Sequence, residues 1–219
     1  MTHEEVAQFL SQHPDFFDHH PEVLVNVAIP HPQDGHAVSL VERQSMILRD
    51  RIKTLELRLA DMLRHGEEND AIADRIVHWA RALLAQTDPG RLPGTLLDEL
   101  MRQFNVPFGA LRLWGVAPAH AGEAWAQPAG DDIIRLANSM QAPFCGSNVG
   151  FEAAGWMATD PASIRSLAMM PLRVGSDTKA FGLLALGSSD PDRFQITMGT
   201  AFLSRIAELA SAALARLRS

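Results

Sequence analysis

From Leu48 to Met62 large apolar side chains recur alternately four and three residues apart, as Leu48, Ile52, Leu55, Leu59 and Met62, and most positions between them are charged or polar. That spacing is a heptad seam. It makes one narrow apolar stripe on an α-helix, which suits a partner helix better than it suits a broad core. The same spacing extends upstream through Val38, Val41 and Ser45 and downstream through Gly66, Asn69, Ala73, Ile76, Ala80 and Leu83. No proline occurs from His36 to Gln86, so the pattern predicts one long helix over that span. Gly66 and Asn69 interrupt the seam; a glycine there costs about 1 kcal/mol of helix stability relative to alanine, which marks a junction between a stalk and a globular domain. In a parallel pair of such helices Arg51 of one chain faces Glu56 of the other, an opposite-charge contact. The seam therefore predicts a homodimer.

Upstream of the stalk the pattern is short and broken. Thr2 with Glu5 three residues later is a capping box, and Val6, Phe9 and Leu10 follow at helical spacing. His13-Pro14 ends that helix, and a second short helix is expected to start at Pro21 and stop near Pro30. With Gly35 closing the segment, residues 1–35 form a small helical cap, 36–66 the stalk, and 67–219 the globular domain. In that domain "AIADRIVHWARALLAQ" continues as helix, Asp88-Pro89-Gly90 is a turn, and "RLPGTLLDELMRQFN" is a further helix burying Leu96, Leu97, Leu100 and Met101. Phe108 to Val116 reads as a strand and "DDIIRLANSM" as a short helix. "IRSLAMMPLRV" and "KAFGLLALGSS" read as a hairpin about the turn Gly175-Ser176-Asp177. The near-continuous apolar residues of these two strands imply a sheet covered on both faces. A last helix, about Ile196 to Leu217, puts Phe202, Leu203, Ile206, Leu209 and Leu214 on one broad face.

Composition narrows the partners. The net charge of −7 sits mainly in residues 1–87, which hold 14 Asp and Glu against 8 Lys and Arg, and neither half offers the basic face that binding to a phosphate backbone requires. No nucleic-acid partner is expected. No apolar run approaches the roughly 18–20 residues needed to cross a bilayer, and the N-terminus lacks a basic region followed by an apolar one, so no membrane association and a cytoplasmic location are expected. The single cysteine, Cys145, excludes an internal disulfide framework and a cysteine-rich metal site.

The order of helices and strands, with "SLAMMPLRVG" and "AFGLLALGSSDPDRF" between flanking long helices, resembles a GAF domain over residues 67–219. Over its whole length, with "FLSQHPDFF", "HPEVL", "IPH", "AVSLVERQ" and "DRFQITMGTAFLSRIAEL", the chain is similar to a GAF-like bacterial family known as domain of unknown function 484. The resemblance implies an α+β fold: a six-stranded or similar antiparallel sheet, helices on one face, and a small-molecule pocket under loops and short helices on the other. It also implies absences. Relatives that bind cyclic nucleotides carry an Asn-Lys pair, whereas Lys53 and Lys179 follow other residues; bilin carriers place histidine beside the attachment cysteine, whereas Cys145 is followed by Gly146; methionine sulfoxide reductases of this kind use more than one cysteine.

No Gly-rich phosphate loop, nucleophile elbow or His-Glu-x-x-His helix occurs, so no catalytic residue is assigned. Six of the nine histidines, His3, His13, His19, His20, His31 and His36, crowd the first 36 residues, but three of them precede proline and read as turn residues, so no metal site is assigned either. The candidate ligand pocket comprises Arg112, Trp114, Cys145, Trp156, Met157, Arg165 and Met169, with the segment from Phe144 to Ser166 as its lid. Arg112 alternates with apolar neighbours and could meet an anion. The same residues could equally pack as core, and the cofactor, if any, is unspecified. The expected function is a non-catalytic dimeric sensor or adaptor that binds a small molecule or a protein partner. The alternatives are a structural dimeric scaffold without ligand and an enzyme with an unrecognised site.

Overall fold

The computed structural model describes residues 2–26, 28–30, 37–175, 177–196 and 200–218, with backbone alone for 24–26, 28–30 and 37–42. Several expected features lie outside the described residues: Gly35, His31 and His36, Ser176 of the hairpin turn, residues 197–199 of the last helix, and the side chains of Val38 and Val41. Contacts divide the chain into two units, Met1–Glu67 and Glu68–Ser219.

In the first unit, α1 (His3–Gln12) starts with the capping box, Thr2 Oγ1 accepting from the Glu5 amide at 3.2 Å and the Glu5 carboxylate accepting from the Thr2 amide at 2.7 Å. A short helix not expected, α2 (Phe16–His19), comes next and ends as His20 leaves the helical region before a proline, and the expected helix, α3 (Pro21–Asn26), starts at Pro21. It also stops before Pro30: β1 (Ala28–Pro30) pairs antiparallel with β2 (Ala37–Ser39), Ile29 opposite Val38. The long helix α4 accordingly runs Leu40–Ala85 and not from His36, with Ser39, a residue type that favours the N-cap, just before it. Gly66 does not break it.

The heptad register changes meaning along α4. Leu48, Ile52, Leu55, Leu59 and Met62 are 54–70% exposed, whereas Ile76 and Leu83 are buried at 7% and 4% in the core of the second unit. The sequence pattern had put Ile76 and Leu83 on the seam. A straight α-helix has 3.6 residues per turn, so a 3.5-residue repeat drifts by about 20° per heptad, and five heptads after Leu48 the register has turned by about one residue's arc.

The second unit is a four-stranded antiparallel sheet between two helical layers, an α+β fold as expected. The strands are β3 (Phe108–Leu113), β4 (Phe144–Ser147), β5 (Ser166–Leu172) and β6 (Gly182–Ser188), in the order β3-β6-β5-β4. Every residue of β5 and β6 is buried, the consequence of being central and covered on both faces. On one face pack the end of α4 together with α5 (Leu92–Phe104) and α8 (Ala201–Leu214), through Trp79, Leu96, Leu100, Ile206 and Leu214. The approach of α5 is close: a Cβ on Gly109 would lie 2.8 Å from Met101 Sδ and 2.9 Å from Leu97 Cδ1. Leu97 and Met101 are partly, not fully, buried.

On the other face α6 (Asp131–Ser139) and α7 (Glu152–Met157) cover Leu167, Met169, Leu183 and Ala185. The first strand stops at Leu113 because Trp114 and Gly115, the latter at φ 66°, turn the chain. The last helix starts at Ala201, not near Ile196; its buried side uses Ala207 and Ala210 where Leu209 was expected, and Leu209 is 39% exposed.

Candidate functional site

Alternation along strands decides which candidate residues share a face. On β3, Leu111 and Leu113 point to the α5 side, leaving Arg112 on the α6–α7 side; Trp114 also packs on that side. On β5 and β4 the same parity places Met169 and Phe144 with α6 and α7, and Cys145 with Ala168, its register partner, on the α5–α8 side. Arg112, Trp114, Trp156, Met157 and Met169 therefore lie on one side of the sheet, with Arg112 and Trp156 in contact. Cys145 does not join them: it is 5% exposed on the opposite face, and burial pushes its thiol above the ordinary range. Arg165 is exposed and lines a separate open concavity of about 670 Å³ with Asn148, Asp160 and Pro191.

The segment from Phe144 to Ser166 is more ordered than a lid. It holds β4, then α7, and its loop is pinned by Asn148, whose Nδ2 donates to the carbonyls of Pro161 (3.1 Å) and Ile164 (2.9 Å) and whose Oδ1 accepts from the amides of Gly150 and Phe151. These bonds bring α7 back over the sheet and seat Trp156 beside β3.

The centre of the group is Arg112. Its guanidinium carbon lies 5.5 Å from the centre of the Trp156 ring, and Nη1 donates to the carbonyl of Ala124 in the short turn Ala124–Ala126. Its Nε is buried and meets no acceptor among the described residues. On the same side of the sheet, Trp114 Nε1 donates to the Ala180 carbonyl at 2.6 Å, while Met169 lies beyond β6, two strands from Arg112, and is 1% exposed. The guanidinium, stacked on an indole and with its buried Nε–H meeting no acceptor among the described residues, is the polar centre of an otherwise apolar group.

Two further residues organise this face without having been legible as candidates. Arg173 donates from Nη2 to the carbonyls of Met140 (2.7 Å), Ala137 (2.8 Å) and Asn138 (3.2 Å), carbonyls at the C-terminal end of α6 that lack a partner within the helix. Asn138 Oδ1 accepts from the Ala180 amide at 2.8 Å. Among the described residues no group of three or more His, Cys, Asp or Glu is arranged to hold a metal ion, and no helix is long and apolar enough to cross a membrane.

Comparison with known proteins gives a family and neighbours. A family model described as "Protein of unknown function, DUF484" matches residues 1–219. The uncharacterized protein YigA of Salmonella typhimurium is 26% identical over 215 residues, covering 92% of this chain and 86% of that protein. Among solved structures, the GAF domain of a phosphoenolpyruvate-protein phosphotransferase from Coxiella burnetii aligns with a TM-score of 0.49 at 11% identity, over 66% of this chain and 93% of that one. The GAF domain of the Acinetobacter phosphoenolpyruvate-protein phosphotransferase aligns with a TM-score of 0.45 at 12% identity, over 66% and 93%.

Proposed function

The chain belongs to the DUF484 family, and from that premise we propose that it is a non-catalytic homodimeric sensor or adaptor, paired through the stripe on α4 and reading a small molecule or protein partner through its GAF-like unit. One observation carries this reading: Leu48, Ile52, Leu55, Leu59 and Met62, all large and all more than half exposed, stand at heptad spacing on the helix whose later turns supply Ile76, Trp79 and Leu83 to the core of the second unit. An event in that core has a covalent, helical route to the pairing stripe.

The energetics favour a second copy as the partner. Fully withdrawing a Leu-sized side chain from water is worth about 1.5–3 kcal/mol, and these are already partly covered by their own helix. Ten such side chains, five from each chain, return on the order of 10 kcal/mol, against about 4–15 kcal/mol for lost freedom of motion. In a parallel pair Arg51 faces Glu56 across the seam and selects that register. Arg112, stacked on Trp156 with its Nε unspent, is the recognition group in this reading.

Light scattering tests the reading. The wild-type chain is expected at twice its 24.0 kDa mass at tens of micromolar, and Ile52→Asp with Leu59→Asp is expected at one chain mass, because the pair places like charges face to face in a dry seam. A single-chain mass for the wild type, or an undiminished dimer for the double variant, sinks it. Native mass spectrometry of protein purified from its host then separates sensor from scaffold, a retained small molecule lost in Arg112→Ala supporting the sensor.

A further inference from the structure

β4 opposes only Ser166–Met169 of β5, so the last residues of β5 have no strand beside them on that edge. A cleft of about 270 Å³ opens there, lined chiefly by residues 141–143, which lead from α6 into β4, by Pro171 and Arg173, and by Ser204, Ala207, Glu208 and Ser211 of α8. That volume lies just below the roughly 300 Å³ at which sites for drug-sized ligands begin, so the cleft suits a small occupant.

The wall supplied by α8 is polar by its spacing. In "AFLSRIAELASAAL" Ser204, Glu208 and Ser211 stand four and three residues apart and share one face of a largely apolar helix. Ala207 and Ser211 on that face are 8% and 5% exposed, so it is turned toward the body of the second unit. A buried serine needs a hydrogen-bond partner. Ser211 Oγ accepts from the Arg173 amide at 3.1 Å, and its own hydrogen has no acceptor among the described residues. The Ser204 hydroxyl and the Glu208 carboxylate have no partner among the described residues either.

On the opposite wall Arg173 Nε donates to the Thr178 carbonyl at 3.2 Å and Nη2 donates to the three carbonyls at the end of α6. These bonds fix the plane of the guanidinium and leave Nη1 without an acceptor among the described residues. All four acceptors are neutral, so the charge of Arg173 has no counter-ion among them. Arg173 and Glu208 thus line one cleft with opposite charges and form no ion pair with each other.

Opposite charges held apart select the ligand. A dianion such as phosphate is repelled by Glu208 and a simple cation by Arg173, whereas a molecule with one anionic and one cationic end satisfies both. A carboxylate accepts from a guanidinium and from serine hydroxyls, and an ammonium donates to a carboxylate. We infer that the cleft between α8 and the end of β5 binds a small zwitterion of the amino-acid type, its carboxylate on Arg173 and the serine hydroxyls and its ammonium on Glu208. Arg173 is bonded both to the end of α6 and to Ser211 of α8, so the occupant touches the residue that joins the helical layers of the two sheet faces.

Isothermal titration of the full chain with individual L-amino acids and with 4-aminobutyrate tests this. At least one is expected to bind once per chain with a dissociation constant below about 1 mM. Its carboxamide, and the corresponding amine without the carboxylate, are expected to bind at least about tenfold more weakly, the loss of one charge-assisted contact. Glu208 is exposed, so Glu208→Gln is expected to keep the wild-type melting profile while weakening the zwitterion at least about tenfold. Asp98→Asn, an equal change of charge at an exposed position of α5, is expected to leave the affinity unchanged. Absence of saturable binding up to about 10 mM, a carboxamide held as tightly as its acid, an affinity unmoved by Glu208→Gln, or an equal loss in Asp98→Asn overturns the inference.

Discussion

The indole N–H of Trp79 donates to the carbonyl of Leu96 at 3.0 Å, with both side chains wholly buried. This bond fastens the last turns of α4 to α5 where both meet the sheet, so Trp79 is the residue through which α4 becomes part of the second unit's core.

Trp79→Ala is expected to cost about 3–5 kcal/mol of unfolding free energy, the range for deleting a large buried side chain, and Trp79→Phe about 1–2 kcal/mol through the lost hydrogen bond and a smaller ring. Urea unfolding followed by far-UV dichroism measures both. A Trp79→Phe variant as stable as the wild type would mean that the hydrogen bond contributes nothing.

Arg173 holds three carbonyls at the end of α6 with one guanidinium nitrogen. Arg173→Lys keeps the charge but loses the planar fork, and is expected to cost about 1–2 kcal/mol with faster amide exchange in α6. Unchanged exchange in Asp131–Ser139 would show that the helix is held by its apolar face alone.

A fragment spanning residues 68–219 retains Ile76, Trp79 and Leu83 with all of the four-stranded sheet, and is expected to unfold in one cooperative thermal transition. A broad, non-cooperative melt would mean that the residues before Glu68 belong to the same folding unit.

Cys145 gives a pH prediction. Burial favours its neutral thiol, so the folded chain holds that proton more tightly than the unfolded chain does. The associated stability is complete below the ordinary thiol value of about 8.5 and declines as pH rises through it toward the raised folded value. Cys145→Ala should flatten that alkaline decline. In the native protein, alkylation by iodoacetamide at pH 8 is expected to run at least about tenfold slower than in urea, since the thiol is reached only on opening; equal rates would contradict the burial.

How much of this was legible in the sequence depended on the range of the interaction. The capping box at Thr2, the long helix and the strands β5 and β6 rest on local spacing, and these were readable. β2 was not: Ala37–Ser39 pairs with Ala28–Pro30 across residues with no local strand signal, and the absence of proline read as helix. β4 was missed because "FCGS" is too short to show alternation, and that hid the parity that turns Cys145 away from Arg112. The fate of Ile76 and Leu83 needed the helix to be straight, which a heptad repeat alone argues against. Arg173 carries no sequence signal, since its acceptors are backbone carbonyls more than thirty residues away.

The strand order β3-β6-β5-β4 also bears on how the chain reaches this state. β5 and β6 lie close in sequence and can pair early, but β6 completes its other edge only with β3, whose Phe108 meets Gly187 from far earlier in the chain. Until that long loop closes, "GLLALG" presents a row of unpaired amides and carbonyls flanked by apolar side chains, a template open to the same segment of another molecule. Refolding is thus a contest between loop closure within one chain, which is independent of concentration, and strand addition between chains, which is not.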